Sequence, residues 1–231
     1  MSIILLLLRL PILVVHILVG LFTILFFPKE PKNFKSSHYR IMMLWMNILS
    51  SILGIKVDIR GIPDQSANLF VSNHVTYLDI IIINKLLPVN FIAKEEISSW
   101  PVIGRLASKT GTLFIKRGDN VESSKMIYEM EERFKLQNKI VFFPEGKIGN
   151  GKRVRKFHYK LFKSIENKEL YIQPIAIRYP IEYPVNNNYS EIISDKSLKG
   201  EMFSLYLKFL MRRRSHVILI FLDKVSTRDY K

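Results

Sequence analysis

His74 and Asp79, in the run Ser72-Asn73-His74-Val75-Thr76-Tyr77-Leu78-Asp79, have the types and spacing to build a general base from one short stretch of chain. The run follows Asn68-Leu69-Phe70-Val71, which reads as a buried strand, and leads into residues 79–87, apolar enough to be helix or strand. Thr76 and Asp79 have the spacing of a capping box, which predicts a helix starting at Thr76 with Asp79 in its first turn. Side chains there lean toward the helix N-terminus, so the carboxylate points back at the turn carrying His74. An imidazole with a carboxylate on one nitrogen is held in one tautomer, and its other nitrogen is free to take a proton. The ordinary alternative is that His74 is a turn or core residue and that Asp79 only caps Thr76. For a nucleophile there is little: the chain has no cysteine and no Gly-x-Ser-x-Gly elbow, and Ser72 is better suited to bonding local backbone.

A second block, Phe142-Phe143-Pro144-Glu145-Gly146, places Glu145 after a buried strand and a proline, on a loop at a sheet edge. Together, Asn-His-x-x-x-x-Asp and the later Phe-Pro-Glu-Gly resemble the glycerolipid acyltransferase family, which acylates glycerol-3-phosphate and lysophosphatidic acid. Gly111-Thr112-Leu113-Phe114-Ile115-Lys116-Arg117 is similar to that family's arginine block, and Ile172-Gln173-Pro174-Ile175-Ala176 to its late proline block. The blocks stand in the family's order and cover about residues 55–180. The resemblance implies an α/β fold, glycerol-3-phosphate acyltransferase-like, with a mixed sheet flanked by helices. It implies His74 and Asp79 as the catalytic pair, with the acceptor hydroxyl attacking a thioester directly and no acyl-enzyme. Arg117 then binds the acceptor's phosphate, which the rigid guanidinium fork suits. Glu145 and Gly146 support the acceptor, Asn73 and Pro144 belong to the same substrate-binding blocks, and Lys94 is a second phosphate candidate.

The chain departs from the family pattern in two places. Lys147 stands where Thr or Ser usually follows Glu-Gly, and Phe157-His158-Tyr159-Lys160 replaces the usual Phe-Lys-x-Gly. The segment 149–154, with Phe157, Leu161 and Phe162, looks closer to relatives that acylate lyso-ornithine lipid. His158 is not needed as a second base, and His16, His38 and His216 have no acidic partner at useful spacing and read as structural.

The elements that must position these residues follow from the rest of the chain. At 231 residues, nearly half of them apolar, it holds one ordinary domain plus an appendage. Residues 3–27 are an apolar stretch broken only by Arg9, Pro11, His16, Gly20 and Thr23, long enough to cross a bilayer. No basic segment precedes this stretch and no small-residue cleavage site ends it, against a cleaved signal peptide. Lys29, Lys32, Lys35 and Arg40 follow it, so the positive-inside rule places the next domain on the cytoplasmic face of a bacterial-type inner membrane. Arg9 and Pro11 leave spanning and dipping into one leaflet both open. A second apolar helix is expected over residues 38–54, its polar residues Ser36, Arg40, Asn47 and Ser51 sharing one stripe. Residues 1–54 are therefore expected to be a membrane-associated helix pair, with a globular helical hairpin as the alternative, and residues 55–231 a catalytic domain.

Beyond residue 55, strands are expected at 56–60, 68–71, 89–93, 112–115, 139–143, 171–177 and 216–222. Helices are expected from Lys94, after Asp119 and over 198–211, with a loop at 180–190. Strands alternating with helices imply an α/β sheet.

The net charge of +15 suits nucleic acid, anionic lipid or a phosphorylated substrate alike. Lys152, Arg153, Arg155 and Lys156 form a basic cluster for anionic membrane lipid or for the acyl carrier protein or coenzyme A portion of a donor. Nucleic acid is disfavoured, because no stacking aromatics are interleaved in a recognised module. The expected activity is acyl transfer from acyl carrier protein or coenzyme A to lysophosphatidic acid, giving phosphatidic acid, with no metal or bound cofactor. Another lysophospholipid, lyso-ornithine lipid included, is the alternative acceptor, and a catalytically silent basic membrane-binding protein the alternative of another class.

Overall fold

The computed structural model describes residues 2–28, 34–116, 120–149, 154–166, 168–179 and 206–229. Helix α1 (Ile3–Thr23) runs into a 3-10 turn (Ile24–Phe26), and α2 (Ser36–Ile52) follows. The chain then alternates: β1 (Ile55–Arg60), β2 (Leu69–Ser72), α3 (Leu78–Asn84), β3 (Val89–Lys94), α4 (Ile103–Lys109), β4 (Leu113–Ile115), α5 (Asn120–Lys135) and β5 (Lys139–Phe142). A 3-10 segment (Tyr159–Ile165) precedes β6 (Tyr171–Arg178), and β7 (Ser215–Phe221) and β8 (Val225–Ser226) come last.

The strands form one mixed sheet in the order β1-β7-β6-β2-β5-β3-β4, with β8 also on β6. Strands β6, β2, β5, β3 and β4 are mutually parallel, and β7 runs antiparallel to β6. Alternate side chains feed two cores, as the pleat requires. Phe70 and Val141 face α2 and α3, whereas Leu69, Ile140 and Phe142 face α5 and the 159–165 turn. Helices therefore cover both faces, as a parallel sheet demands.

Local differences from the sequence reading have local causes. The helix expected from Thr76 begins at Leu78, because the Thr76 hydroxyl accepts from the Leu78 N–H, a tight two-residue turn. The stretch from Lys94 yields only a 3-10 turn (Glu95–Ser99): Pro101 holds Trp100 extended, and α4 starts afresh at Ile103. Strand β8 and the 159–165 turn lack any periodic signal. Asp119 and the loop at 180–190 lie outside the described residues, as does the helix expected over 198–211 apart from its last turns at 206–210.

Helix α2 belongs to the main core through Leu49, Ile52 and Leu53. Helix α1 lies on α2, and the contact is polar at its centre. The Trp45 indole stacks on the His16 ring at 4.5 Å, Trp45 Nε1 donates to the His16 carbonyl at 3.2 Å, and His16 Nε2 lies 3.1 Å from the Trp45 carbonyl. Gly20 allows this approach, since a Cβ there would sit 2.7 Å from Trp45 Nε1. Arg9 is not presented to lipid: its guanidinium donates to the carbonyls of Leu210, Arg212 and Arg213. Gly20→Val is accordingly expected to push α1 off the indole at a cost of about 1–3 kcal/mol, read as a lower melting temperature of the detergent-solubilised protein.

Candidate active site

The carboxyl ends of β2, β3, β5 and β6 lie at one edge of the sheet because these strands are parallel. The residues singled out from sequence follow directly after those ends: Asn73 and His74 after β2, Lys94 closing β3, and Pro144, Glu145 and Gly146 just past β5. In open α/β sheets this edge is where ligands bind.

His74 and Asp79 meet as their spacing implied, with Nδ1 2.9 Å from Asp79 Oδ2. The same oxygen accepts the N–H groups of Val75 at 2.7 Å and Thr76 at 3.0 Å, the half of a capping box in which the acidic residue reaches back. Asp79 is fully buried. Its other oxygen accepts from the Tyr179 hydroxyl at 2.8 Å. With a carboxylate as partner, Nδ1 carries the proton and Nε2 keeps a basic lone pair. Phe143 stacks flat on the imidazole, centroids 4.0 Å apart and planes within 11°, which fixes the ring's tilt.

Glu145 is buried and accepts from the Arg155 backbone N–H at 3.1 Å, while the Pro144 carbonyl accepts from the His158 N–H. Gly146 has φ of +68°, a left-handed turn that a side chain would strain, and its N–H returns to the Phe143 carbonyl. The Gly149 N–H then bonds the His74 carbonyl at 2.6 Å. The segment after β5 is thus folded back over the histidine. Asn73 is engaged elsewhere than at a ligand: its amide donates to the Ile177 carbonyl at 2.9 Å and accepts from the Ile177 N–H at 2.7 Å, clamping the histidine loop to β6. Arg117 lies outside the described residues.

His74 opens into a cavity of about 1370 Å³. One wall is apolar and comes from the first helices, through Ile24, Phe27, Met42, Trp45 and Leu49. The lining is also cationic: among the described residues Lys94, Lys147, Arg155, Lys156 and Lys160 line the cavity, with Glu96 the one carboxylate. Tyr206 lines the wall as well, and burial pushes its phenol up to about 12, so it stays neutral. Among the described residues no group of three or more His, Asp and Glu is placed to hold a metal ion. The arrangement can accept a proton at Nε2 beside a large volume lined by apolar side chains and by cations that attract anions.

Sequence reasoning missed Tyr179 and the stacking role of Phe143. Both positions are readable only once β6 and β5 are known to flank β2. Asn73→Ala should remove both bonds to Ile177 and leave a buried N–H unpaired, lowering unfolding free energy by about 1–3 kcal/mol in a denaturant titration.

A family model described as acyltransferase matches residues 55–178. The chain is 32% identical over 179 residues to the lyso-ornithine lipid O-acyltransferase of Pseudomonas aeruginosa, across 74% of this chain and 69% of that one. It is 31% identical over 147 residues to the 1-acyl-sn-glycerol-3-phosphate acyltransferase of Neisseria gonorrhoeae, across 63% of this chain and 57% of that one. Its fold is like that of the crystal structure of PlsC, the 1-acyl-sn-glycerophosphate acyltransferase of Thermotoga maritima, with a TM-score of 0.67 over all of this chain and 87% of that one at 17% identity. The sheet architecture, the ordered blocks at its carboxyl edge and the family match over residues 55–178 agree, and the chain belongs to the acyltransferase family.

Proposed function

We propose that the protein is a 1-acyl-sn-glycerol-3-phosphate acyltransferase that esterifies the free hydroxyl of lysophosphatidic acid to give phosphatidic acid. The observation that carries this reading is the His74–Asp79 pair opening into a cavity lined by both apolar and cationic side chains. His74 Nε2 takes the proton of the acceptor hydroxyl as its oxygen attacks the thioester carbonyl of an acyl group carried by acyl carrier protein or coenzyme A. The carbon–sulfur bond breaks when the tetrahedral adduct collapses, and the imidazolium returns the proton to the leaving thiolate. Asp79 holds the tautomer and faces the imidazolium while it exists. Lys94 and Arg117 are assigned to the acceptor's phosphate. Glu145 and Gly146 shape the loop beneath it, Pro144 anchors that loop, and Asn73 braces the histidine. The cations lining the cavity suit a phosphate monoester, whose oxygens accept charge-assisted hydrogen bonds.

A second reading, acylation of lyso-ornithine lipid, is supported by the name of the Pseudomonas relative and by Lys147 in place of the family's usual hydroxyl residue. Purified protein should be assayed against both lysolipids with each thioester donor, His74→Ala alongside wild type. Conversion of lysophosphatidic acid, lost about 10³-fold or more in the variant, is the expected result. Turnover of lyso-ornithine lipid alone would favour the second acceptor, and full activity in His74→Ala would end the general-base reading.

The same proposal assigns residues 1–54 to a membrane-anchoring helix pair and residues 55–231 to the catalytic domain on the cytoplasmic face, against anionic lipid. Helix α1 and its 3-10 extension form a 24-residue apolar helix, and it is exposed along its length at Ile4, Leu7, Leu18, Phe22 and Leu25. Both of its ends are tied to the rest of the protein, Ser2 N–H to the Met211 carbonyl and Ile24 and Phe27 to the cavity wall. This favours a helix lying in one leaflet over one crossing the bilayer. The chain has no cysteine, so single cysteines can be introduced at Ser2 and Thr23. An impermeant maleimide should label both from the same side of sealed vesicles; labelling from opposite sides would mean a spanning helix.

A further inference from the structure

We infer that Tyr179 is a positioning residue for the reaction, acting through Asp79 on the tautomer and orientation of His74. The inference rests on the general-base reading of His74 and adds to it a group that no family block contains. Asp79 Oδ2 is crowded: His74 Nδ1 and the N–H groups of Val75 and Thr76 all converge on it. Those three partners come from one short turn. Oδ1 is held from outside that turn, by the Tyr179 hydroxyl at 2.8 Å, a contact across 100 residues of chain.

The carboxylate's terminal torsion is an sp³–sp² rotor with a broad minimum, so bonds to one oxygen alone fix it poorly. A donor on the second oxygen pins the plane of the carboxylate, and that plane sets the line along which Oδ2 meets His74 Nδ1. Tyr179 is itself fixed from the same site. Asn73 grips both polar groups of the Ile177 backbone, and Tyr179 stands two residues further along that strand's end. The hydrogen bonds Asn73–Ile177, Tyr179–Asp79 and Asp79–His74, linked through the covalent chain, thus close a loop joining β2 and β6 around the imidazole. The Tyr179 ring also packs on the main core, so Tyr179→Phe removes the hydroxyl while keeping the packing.

The test compares wild type, Tyr179→Phe and His74→Gln in the lysolipid acylation assay, with ¹⁵N-imidazole NMR of each protein in detergent. The His74 signals are identified by their loss from His74→Gln. In wild type His74 is expected as the single Nδ1–H tautomer. Tyr179→Phe is expected to mix the tautomers and to lower kcat about tenfold, the scale of one hydrogen bond to a charged group, with KM for the lysolipid within about twofold. An unchanged kcat and an unchanged His74 spectrum would overturn the inference while leaving the general base intact. So would a loss confined to KM or melting temperature with the His74 spectrum unchanged, since that is what a merely structural hydroxyl gives. Activity retained in His74→Gln would instead remove the general-base reading itself, whatever Tyr179→Phe does.

Discussion

The burial of Asp79 is the constraint on which the site depends. A carboxylate with no solvent exposure is tolerated only if donors surround it. Here they are two backbone N–H groups of its own turn, an imidazole and a phenol from the neighbouring strand. Each donor must be delivered to within hydrogen-bond reach. The turn Val75–Thr76 therefore has to be tight, β6 has to lie beside β2, and the loop after β5 has to lie over the imidazole that results. The sheet order is in this sense a consequence the carboxylate requires: a strand other than β6 beside β2 would leave Oδ1 without its donor.

The same economy of contacts ties the first helices to the site. A pair that served only to hold the protein at a membrane would need no registry with the catalytic edge. Instead α2 contributes to the main core, and the Tyr39 hydroxyl on α2 lies 2.9 Å from Asn90 Oδ1 and 2.8 Å from Asn138 Oδ1, next to the buried Arg133. The Trp45–His16 stack then fixes α1 on α2 in turn. One apolar wall of the cavity comes from these helices, so the enclosure beside His74 depends on their docking.

What was legible in the sequence was what short-range geometry encodes. The His74–Asp79 contact follows from spacing within one turn, the strands from alternating or continuous apolar runs, and the family from blocks in order. Pairings across the sheet were not legible. Nothing in Tyr179 or its neighbours marks it as a partner of Asp79, because the relation is created by β6 pairing with β2. Asn73 shows the same limit from the other side. Its place in a block pointed to a ligand, whereas its amide reaches the backbone of a strand far along the chain. The two-residue β8 and the 3-10 segment 159–165 escaped for a different reason, being too short or too tightly wound to carry a period.

The division also explains why chemistry is easier to read here than acceptor. Proton transfer needs one imidazole and one carboxylate, which a single turn supplies. The cations that line the cavity come from separate places: Lys94 at the end of β3, Lys147 past β5, and Arg155 and Lys156 on a segment whose backbone is held by Glu145. No single block spells out that set, and each member taken alone is an unremarkable exposed or half-exposed cation. Glu145 illustrates the connection. Its carboxylate is buried and accepts from the Arg155 N–H, so it fixes the backbone of the segment that carries Arg155 and Lys156. Lys147, where a hydroxyl residue is usual after Glu-Gly, therefore adds a charge to the cavity lining without disturbing the turn that Gly146 makes. Relatives can share the His–Asp turn and the fold and still differ in the lipid they accept.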